Sequence, residues 1–106
     1  MGKAANSSIS LKQIHVTDNF WNKYVHLVKD VIIPYQWDIL NDKLEDVETS
    51  HCIENFKIAA GEKEGEFQGA VFQDTDVAKW LEAVGFVLNY ERDEKLEELA
   101  DETIEL

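Results

Sequence analysis

The stretch FQDTDVAKWLEAVGFVLNY, residues 72–90, predicts a helix that has almost no polar side. Apolar residues recur there at the spacing of one buried helical face, and they are Val77, Trp80, Leu81, Val84, Val87 and Leu88. Much of the remaining surface is also apolar or small, with Ala78, Ala83, Gly85, Phe86 and Tyr90. A helix that is apolar most of the way round belongs inside a larger body. We therefore expect other helices to cover it.

The composition is typical of one globular domain with an acidic excess. The chain has 106 residues, of which 44% are hydrophobic, and a formal charge of −12. Its length allows one domain at most, and its hydrophobic content argues against wholesale disorder. Nucleic acid and anionic membranes are disfavoured as partners, because both require Lys and Arg to neutralise them. The charge is otherwise expected to keep the protein soluble.

The single cysteine, Cys52, cannot form an internal disulfide. An unpaired cysteine is typical of a reducing compartment, so we predict a cytoplasmic location. The first ten residues, MGKAANSSIS, lack the apolar centre of a signal peptide, and no run of about 18 apolar residues predicts a membrane span.

The apolar pattern predicts a mainly α chain with about five helices. Residues 1–16 are expected to form a flexible start with a short extended strand at residues 9–16, and residues 17–106 to form the helices. Pro34 should end the first helix near Ile32 or Ile33 and open the second, because proline disfavours helical geometry in the residue before it. The five predicted helices span residues 17–33, 34–42, 51–61, 74–90 and 93–106.

Polar residues and a glycine mark the predicted helix ends. A short polar side chain before a helix can accept hydrogen bonds from its free N–H groups. A glycine after a helix readily adopts the left-handed conformation that ends it, and Gly61 is placed to do so. The predicted N-terminal caps are Thr17 or Asp18, Thr49 or Ser50, Asp74 or Thr75, and Asp93.

Few residues have the spacing of a catalytic or metal site. His15, His26 and His51 lie far apart, and Cys52 beside His51 is a single donor pair, whereas zinc needs three or four ligands. Adjacent helical residues point about 100° apart, which excludes a Cys–His dyad. The pair Asp74 and Asp76 allows two interpretations. It could act as acid and base at a glycosidic bond, or it could stabilise the start of a helix.

The remaining chemical signal is aromatic residues beside polar ones. Sugar-binding clefts combine aromatic faces, which cover C–H surface, with amides and carboxylates, which bind hydroxyls. Most aromatic residues nevertheless belong to the core. The residues in question are Trp21, Tyr35, Trp37 and Trp80, with Gln36, Asn41, Asp42, Gln73 and Asp76.

Four segments resemble the N-terminal part of the β-L-arabinofuranosidase family, glycoside hydrolase family 127. They are the FW pair at residues 20–21, IPYQWDILND at 33–42, SHCIENFKIAAGE at 50–62, and FQGAVFQDTDVAKWLE at 67–82. The longest, VFQD-x-DV-x-KWLE, fixes many positions, and the order and spacing match over most of residues 17–103. The segment between Asp42 and Ser50 is short for the family.

The resemblance implies that this chain is a partial arc of an (α/α)6 barrel, and that the whole barrel closes around a sugar pocket. It also implies that the family hydrolyses arabinofuranosyl-containing carbohydrate with retention of configuration. The family's covalent chemistry uses a cysteine nucleophile that a zinc ion activates. Those residues and the acid/base glutamate fall outside the matched segments, so no catalytic residue, metal ligand or cofactor is predicted in this chain. The candidate substrate-binding residues are Gln36, His51, Gln73, Asp74 and Asp76.

Two functions follow as alternatives. The chain is either a part of a family 127 glycosidase that is inactive by itself, or an independent acidic helical binding module without catalysis. The last helix reaches Leu106 in mid-pattern, without a C-terminal signal, so we expect a chain cut from something longer. An arc of a barrel exposes apolar sides, which predicts self-association of the isolated chain.

Overall fold

The computed structural model describes residues 7–106, and these residues form α-helices without a strand. The helices are α1 (Asn19–Leu27), α2 (Ile33–Leu40), α3 (Cys52–Ala59), α4 (Thr75–Tyr90) and α5 (Glu94–Glu105). A 3-10 turn, Leu11–Gln13, precedes them, and a π-helical turn, Val28–Ile32, connects α1 to α2. The predicted mainly α fold with about five helices is confirmed.

The strand predicted within residues 9–16 is wrong. Ser10 accepts a hydrogen bond from the Lys12 N–H through its side chain, and this bond starts the 3-10 turn. Ile14 after the turn is extended, but no strand among residues 7–106 pairs with it. The Val16 N–H instead donates to the Tyr90 hydroxyl at 3.0 Å, so this segment is attached to the end of α4 through a side chain.

The predicted stop at Pro34 is also wrong, because the helix continues through it. The Ile33 N–H donates to the Val28 carbonyl, five residues back, and Ile32 and Ile33 keep right-handed helical dihedral angles. One extra residue in the turn rotates everything that follows by about 100°. Val28 and Ile33 therefore share a face, and the apolar side of α1 continues into the apolar side of α2. Pro34 does stand at the start of α2, as predicted.

Helix α4 is the centre of the fold. Other helices cover one side of this helix, as expected, while Ala78, Gly85 and Phe86 stay exposed on the other side. Helix α4 contacts α2, α3, α5 and the 3-10 turn. Trp80 is 5% exposed, its Nε1–H donates to the Ile33 carbonyl at 3.1 Å, and its ring lies 4.6 Å from that of Trp37. The buried core consists of Ile33, Leu40, Cys52, Ile53, Val77, Trp80, Val84 and Ala100. Leu81, Val87 and Leu88 are only half-buried.

Two of the predicted side-chain caps are present and two are absent. The Asp18 carboxylate accepts from the N–H groups of Phe20 and Trp21, and the Asp93 carboxylate accepts from that of Leu96. Neither Thr49 nor Ser50 caps α3, which begins after His51 in the left-handed region at φ 56°. Neither Asp74 nor Thr75 caps α4 through its side chain. Gly61, at φ 78°, ends α3 as predicted.

The molecule is open for its length. Its radius of gyration is 17.4 Å, whereas a compact domain of this size has about 13 Å. Large apolar side chains of α1 and the π-helical turn are exposed, in agreement with a partial arc of an α/α barrel. Among the described residues, no helix has the length and hydropathy needed to cross a membrane.

Candidate functional site

A cleft of about 430 Å³ lies between α2, α4 and the loop that precedes α3, and we call it the α2–α4 cleft. Its apolar floor includes Ile33, Leu40 and Trp80. Its polar groups are two amides, two hydroxyls, two carboxylates and an ammonium group close together, as is typical of a small-molecule site. They belong to Gln36, Gln73, Thr49, Ser50, Glu48, Asp76 and Lys79. The structure therefore brings together three of the five predicted site residues: Gln36, Gln73 and Asp76.

The side chain of Gln73 is held in place by the turn that precedes α4. Its Oε1 accepts from the Ala70 N–H at 2.9 Å, and its backbone carbonyl accepts from the Cys52 thiol at 2.9 Å. Gly69 has φ 89°, and a Cβ at this position would collide with the Gln73 amide. Glycine is therefore favoured at position 69 by its backbone conformation, and a larger residue there would displace the Gln73 amide.

The loop before this turn is fixed by a reciprocal pair of hydrogen bonds. Asn55 Nδ2 donates to the Gln68 carbonyl at 2.7 Å, and the Gln68 N–H donates to Asn55 Oδ1 at 3.0 Å. The Asn55 side-chain amide thus pairs with the backbone N–H and carbonyl of one loop residue, and this pair of bonds attaches the loop to α3. The position of Gln73 in the cleft therefore depends on α3 through both Asn55 and Cys52.

Charged groups reach the cleft from two places, Glu48 in the loop before α3 and the first turns of α4. Asp76 Oδ1 lies 3.2 Å from Lys79 Nζ, an ion pair one turn apart with both side chains largely exposed. An exposed pair of this kind contributes little to stability, so both groups remain available to polar ligands. Asp74 is exposed and does not line the cleft, and neither does His51.

His51 lies beside the cleft in a separate polar cluster. Its Nδ1 is 3.5 Å from Asp42 Oδ2, and its Nε2 is 3.0 Å from the Thr49 hydroxyl. Asp42 also accepts from the N–H groups of Ser50 at 2.6 Å and His51 at 3.0 Å. Asp42 and His51 are the two non-glycine residues at positive φ among residues 7–106. This carboxylate, eight residues upstream of Ser50, holds the backbone that leads into α3, and α3 itself has no side-chain cap.

The other residues with predicted sugar-binding character divide between core and surface. Trp80 is core, although it also forms part of the cleft floor, and Trp37 packs against it. Trp21 and Tyr35 are exposed outside the cleft. Asn41 donates to the Trp37 carbonyl and so ends α2. Sequence reasoning missed Ser50, Thr49 and Lys79 as cleft residues. Ser50 could have been predicted as a cleft residue, because it is the first residue of the family motif that contains His51.

Cys52 does not fit the zinc centre that the family resemblance implies. It is 1% exposed and donates its S–H to a carbonyl. Burial raises the pKa of the Cys52 thiol, and the carboxylates of Asp76 and Asp74 raise it further. Zinc is bound by a group of thiolate, imidazole or carboxylate ligands that have lost their protons. Within residues 7–106, no three His, Cys, Asp or Glu side chains come close enough to bind a metal together.

Comparison with known proteins identifies the class. The family model for the β-L-arabinofuranosidase GH127 catalytic domain matches residues 13–106. The chain is 37% identical, over 105 residues, to a non-reducing end β-L-arabinofuranosidase of Bifidobacterium longum subsp. longum, covering 88% of the chain and 16% of the relative. A crystal structure of a GH127 β-L-arabinofuranosidase from Geobacillus stearothermophilus T6 is 58% identical, with a TM-score of 0.83.

The helical arc is thus part of a glycoside hydrolase family 127 catalytic domain. The chain belongs to the GH127 β-L-arabinofuranosidase family, as the motifs had indicated. The solved structure is matched over 86% of this chain but only 14% of its own length, in the N-terminal region. The chain therefore spans about one sixth of the relatives that it matches.

Proposed function

We propose that this chain supplies the N-terminal helices of a retaining β-L-arabinofuranosidase, and that its α2–α4 cleft forms one wall of the pocket for an arabinofuranosyl carbohydrate. The observation that carries the proposal is the 58% identity at a TM-score of 0.83 to a GH127 enzyme. The cleft supports it, because amide, hydroxyl and carboxylate groups over an apolar floor suit a furanose with several hydroxyls. The nucleophile and zinc centre are supplied by other parts of the domain.

The open shape favours this function over an independent binding module. A self-contained module would bury its apolar residues within its own helices, whereas this chain leaves Phe20, Trp21, Val31 and Phe86 more than half exposed. Such surface is expected of an arc that packs against further helices. Hydrolysis of a particular linkage, a role in carbohydrate metabolism and the cytoplasmic location remain predictions from the sequence and the family.

A chimera tests the proposal. The N-terminal segment of the Geobacillus enzyme would be replaced by residues 13–106 of this chain, and release of an aryl leaving group from a β-L-arabinofuranoside would be followed. We expect the chimera to be active and the 106-residue chain alone to be inactive. A folded but inactive chimera, or hydrolysis by the isolated chain, would contradict the proposal.

Substitutions in the active chimera test the cleft. Gln36→Ala and Gln73→Ala each remove an amide, and loss of a hydrogen bond to a substrate hydroxyl should raise KM or lower kcat/KM by about tenfold. Gln68→Ala is the matched control, because this exposed glutamine does not line the cleft. Equal kinetics for all three variants would show that the cleft does not contact the sugar.

A further inference from the structure

Asp42, His51 and Thr49 form a polar cluster at the edge of the α2–α4 cleft. The His51 imidazole lies between the other two side chains, with Nδ1 3.5 Å from Asp42 Oδ2 and Nε2 3.0 Å from the Thr49 hydroxyl. Of the three residues, Thr49 alone lines the cleft. The cluster therefore connects a carboxylate outside the cleft to a threonine that a ligand in the cleft can contact.

The backbone of this cluster has a conformation that most residues avoid. Asp42 and His51 both have φ 56°, and no other non-glycine residue within 7–106 has a positive φ. Left-handed residues of this kind cost free energy that the surrounding structure must offset, and they occur often at functional sites. Here the Asp42 carboxylate accepts from the N–H groups of Ser50 and His51 at 2.6 and 3.0 Å. These bonds hold the carboxylate against the imidazole.

The charge of Asp42 determines which nitrogen of the neutral His51 imidazole carries the proton. A proton on Nδ1 is attracted to the carboxylate, whereas a lone pair on Nδ1 would be repelled by it. The Asp42 side chain is 17% exposed and that of His51 is 26% exposed, so water screens this interaction only in part. Nε2 then has the lone pair and can only accept. The Thr49 hydroxyl therefore donates its one proton to Nε2.

A threonine hydroxyl that has donated its proton offers only lone pairs to further partners. We propose that Thr49 is a specificity-determining residue that accepts a hydrogen bond from one sugar hydroxyl in the cleft, and that His51 and Asp42 are positioning residues that keep it an acceptor. The carboxylates of Glu48 and Asp76 in the same cleft are acceptors as well, which suits a ligand with several O–H donors. The proposal rests on the proposed function, because it takes the ligand to be an arabinofuranosyl carbohydrate.

Substrate analogues test the contact in the active chimera. An aryl β-L-arabinofuranoside is compared with analogues that each lack one hydroxyl of the sugar. We expect Thr49→Val to lower kcat/KM about tenfold for the parent substrate, and to have no effect on the one analogue that lacks the contacted hydroxyl. Thr49→Ser is the control, because it keeps the hydroxyl and should stay within about twofold of the wild type. Equal losses by Thr49→Val on the parent and on every analogue would overturn the contact.

His51→Asn separates the imidazole's effect on Thr49 from its place in the backbone. Asparagine tolerates a positive φ, and its amide can still donate to Asp42, but it has no acceptor at the position of Nε2. We expect kcat/KM to fall about threefold, and the double variant with Thr49→Val to lose no more than Thr49→Val alone, because His51 acts through that hydroxyl. Additive losses, or unchanged kinetics for His51→Asn, would overturn the positioning role. Circular dichroism verifies that each variant keeps its helices.

The tautomer of His51 can be measured in the complete 106-residue chain without substrate. Proton–nitrogen correlation spectra of the imidazoles are recorded at about pH 8, where an ordinary imidazole is neutral. The His51 signals are assigned by their loss in His51→Asn. We expect the proton on Nδ1, although free histidine prefers it on Nε2. A proton on Nε2 of His51 would overturn the proposal.

The two proposals fail in different ways. An active chimera in which Gln36→Ala or Gln73→Ala lowers kcat/KM while Thr49→Val does not would overturn the role of Thr49 and leave the proposed function intact. A folded but inactive chimera would overturn the proposed function and the sugar contact with it, even where the spectra show the expected tautomer.

Discussion

Trp80→Ala is the substitution that examines the packing of this fold most directly. Trp80 is 5% exposed, stacks near Trp37 and donates a hydrogen bond to the Ile33 carbonyl. It thus joins α4 to α2, the two helices that form the cleft. Replacing a packed tryptophan by alanine removes the whole ring and leaves a cavity, at a cost of about 3–5 kcal/mol. Domains of this size have about 5–15 kcal/mol of stability, and an open arc should lie at the low end.

Trp80→Phe is a milder substitution at the same position, and it keeps the stability measurement possible if the alanine variant does not fold. It keeps most of the ring and loses the indole N–H, whose hydrogen bond contributes about 1 kcal/mol net. The lost ring atoms add about as much, so we expect a loss of about 2 kcal/mol. Phe86→Ala on the same helix is the control, because the exposed ring should change stability by less than about 0.5 kcal/mol.

Urea unfolding followed by circular dichroism at low protein concentration measures all three losses. The order should be Trp80→Ala, then Trp80→Phe, then Phe86→Ala. A loss below about 1 kcal/mol for Trp80→Ala would show that the site can collapse or that α2 and α4 do not pack as described. A loss for Phe86→Ala equal to that for Trp80→Phe would refute the distinction between core and surface on α4.

Two further predictions concern the residues around the start of α3. Asp42→Asn removes the charge that accepts hydrogen bonds from the N–H groups of Ser50 and His51. We expect it to lower the free energy of unfolding in urea by about 1–3 kcal/mol. The control, Asp46→Asn in the same loop, should change the free energy of unfolding by less than about 0.5 kcal/mol. The raised pKa of the Cys52 thiol means that the unfolded chain loses this proton first, so stability should fall as the pH rises through the ordinary thiol range. This fall should be smaller in Cys52→Ala, and a Cys52→Ala variant with the same pH dependence as the wild type would contradict the assignment.

Features of the fold that depend on neighbouring residues were predictable from the sequence. Helix α4 follows from the spacing of its apolar residues, and the caps at Asp18 and Asp93 lie next to the helices that they start. Gly61 ends α3 for the same local reason. Each of these involves a residue and partners within one helical turn, which is the range over which sequence patterns carry physical information.

Features that depend on a change of period or on a distant partner were not predictable. The π-helical turn before Pro34 shifts the apolar face by one residue. An analysis that expects apolar residues every 3.6 positions interprets this shift as the end of a helix. No side chain caps α3, and the backbone before it is held by Asp42 across a loop, where a local reading selects Thr49 or Ser50 as the cap. Of the predicted site residues, Gln36, Gln73 and Asp76 meet in the cleft because the π-helical turn and the Gly69 turn aim them there.

The role of Cys52 connects this architecture to the chemistry of the family. A cysteine nucleophile must be a thiolate that substrate can reach. The Cys52 thiol has the opposite properties, since it is buried, has a raised pKa and donates a hydrogen bond. The acceptor of that bond is the carbonyl of Gln73, a cleft residue. Cys52 therefore acts through position, by fixing the turn that presents the Gln73 amide to the cleft. Asn55 and Gly69 act on the same turn, so three residues that contact no substrate determine the geometry of one that we expect to contact it. Under the proposed function, this chain would accordingly contribute the shape and polarity of one wall of the pocket.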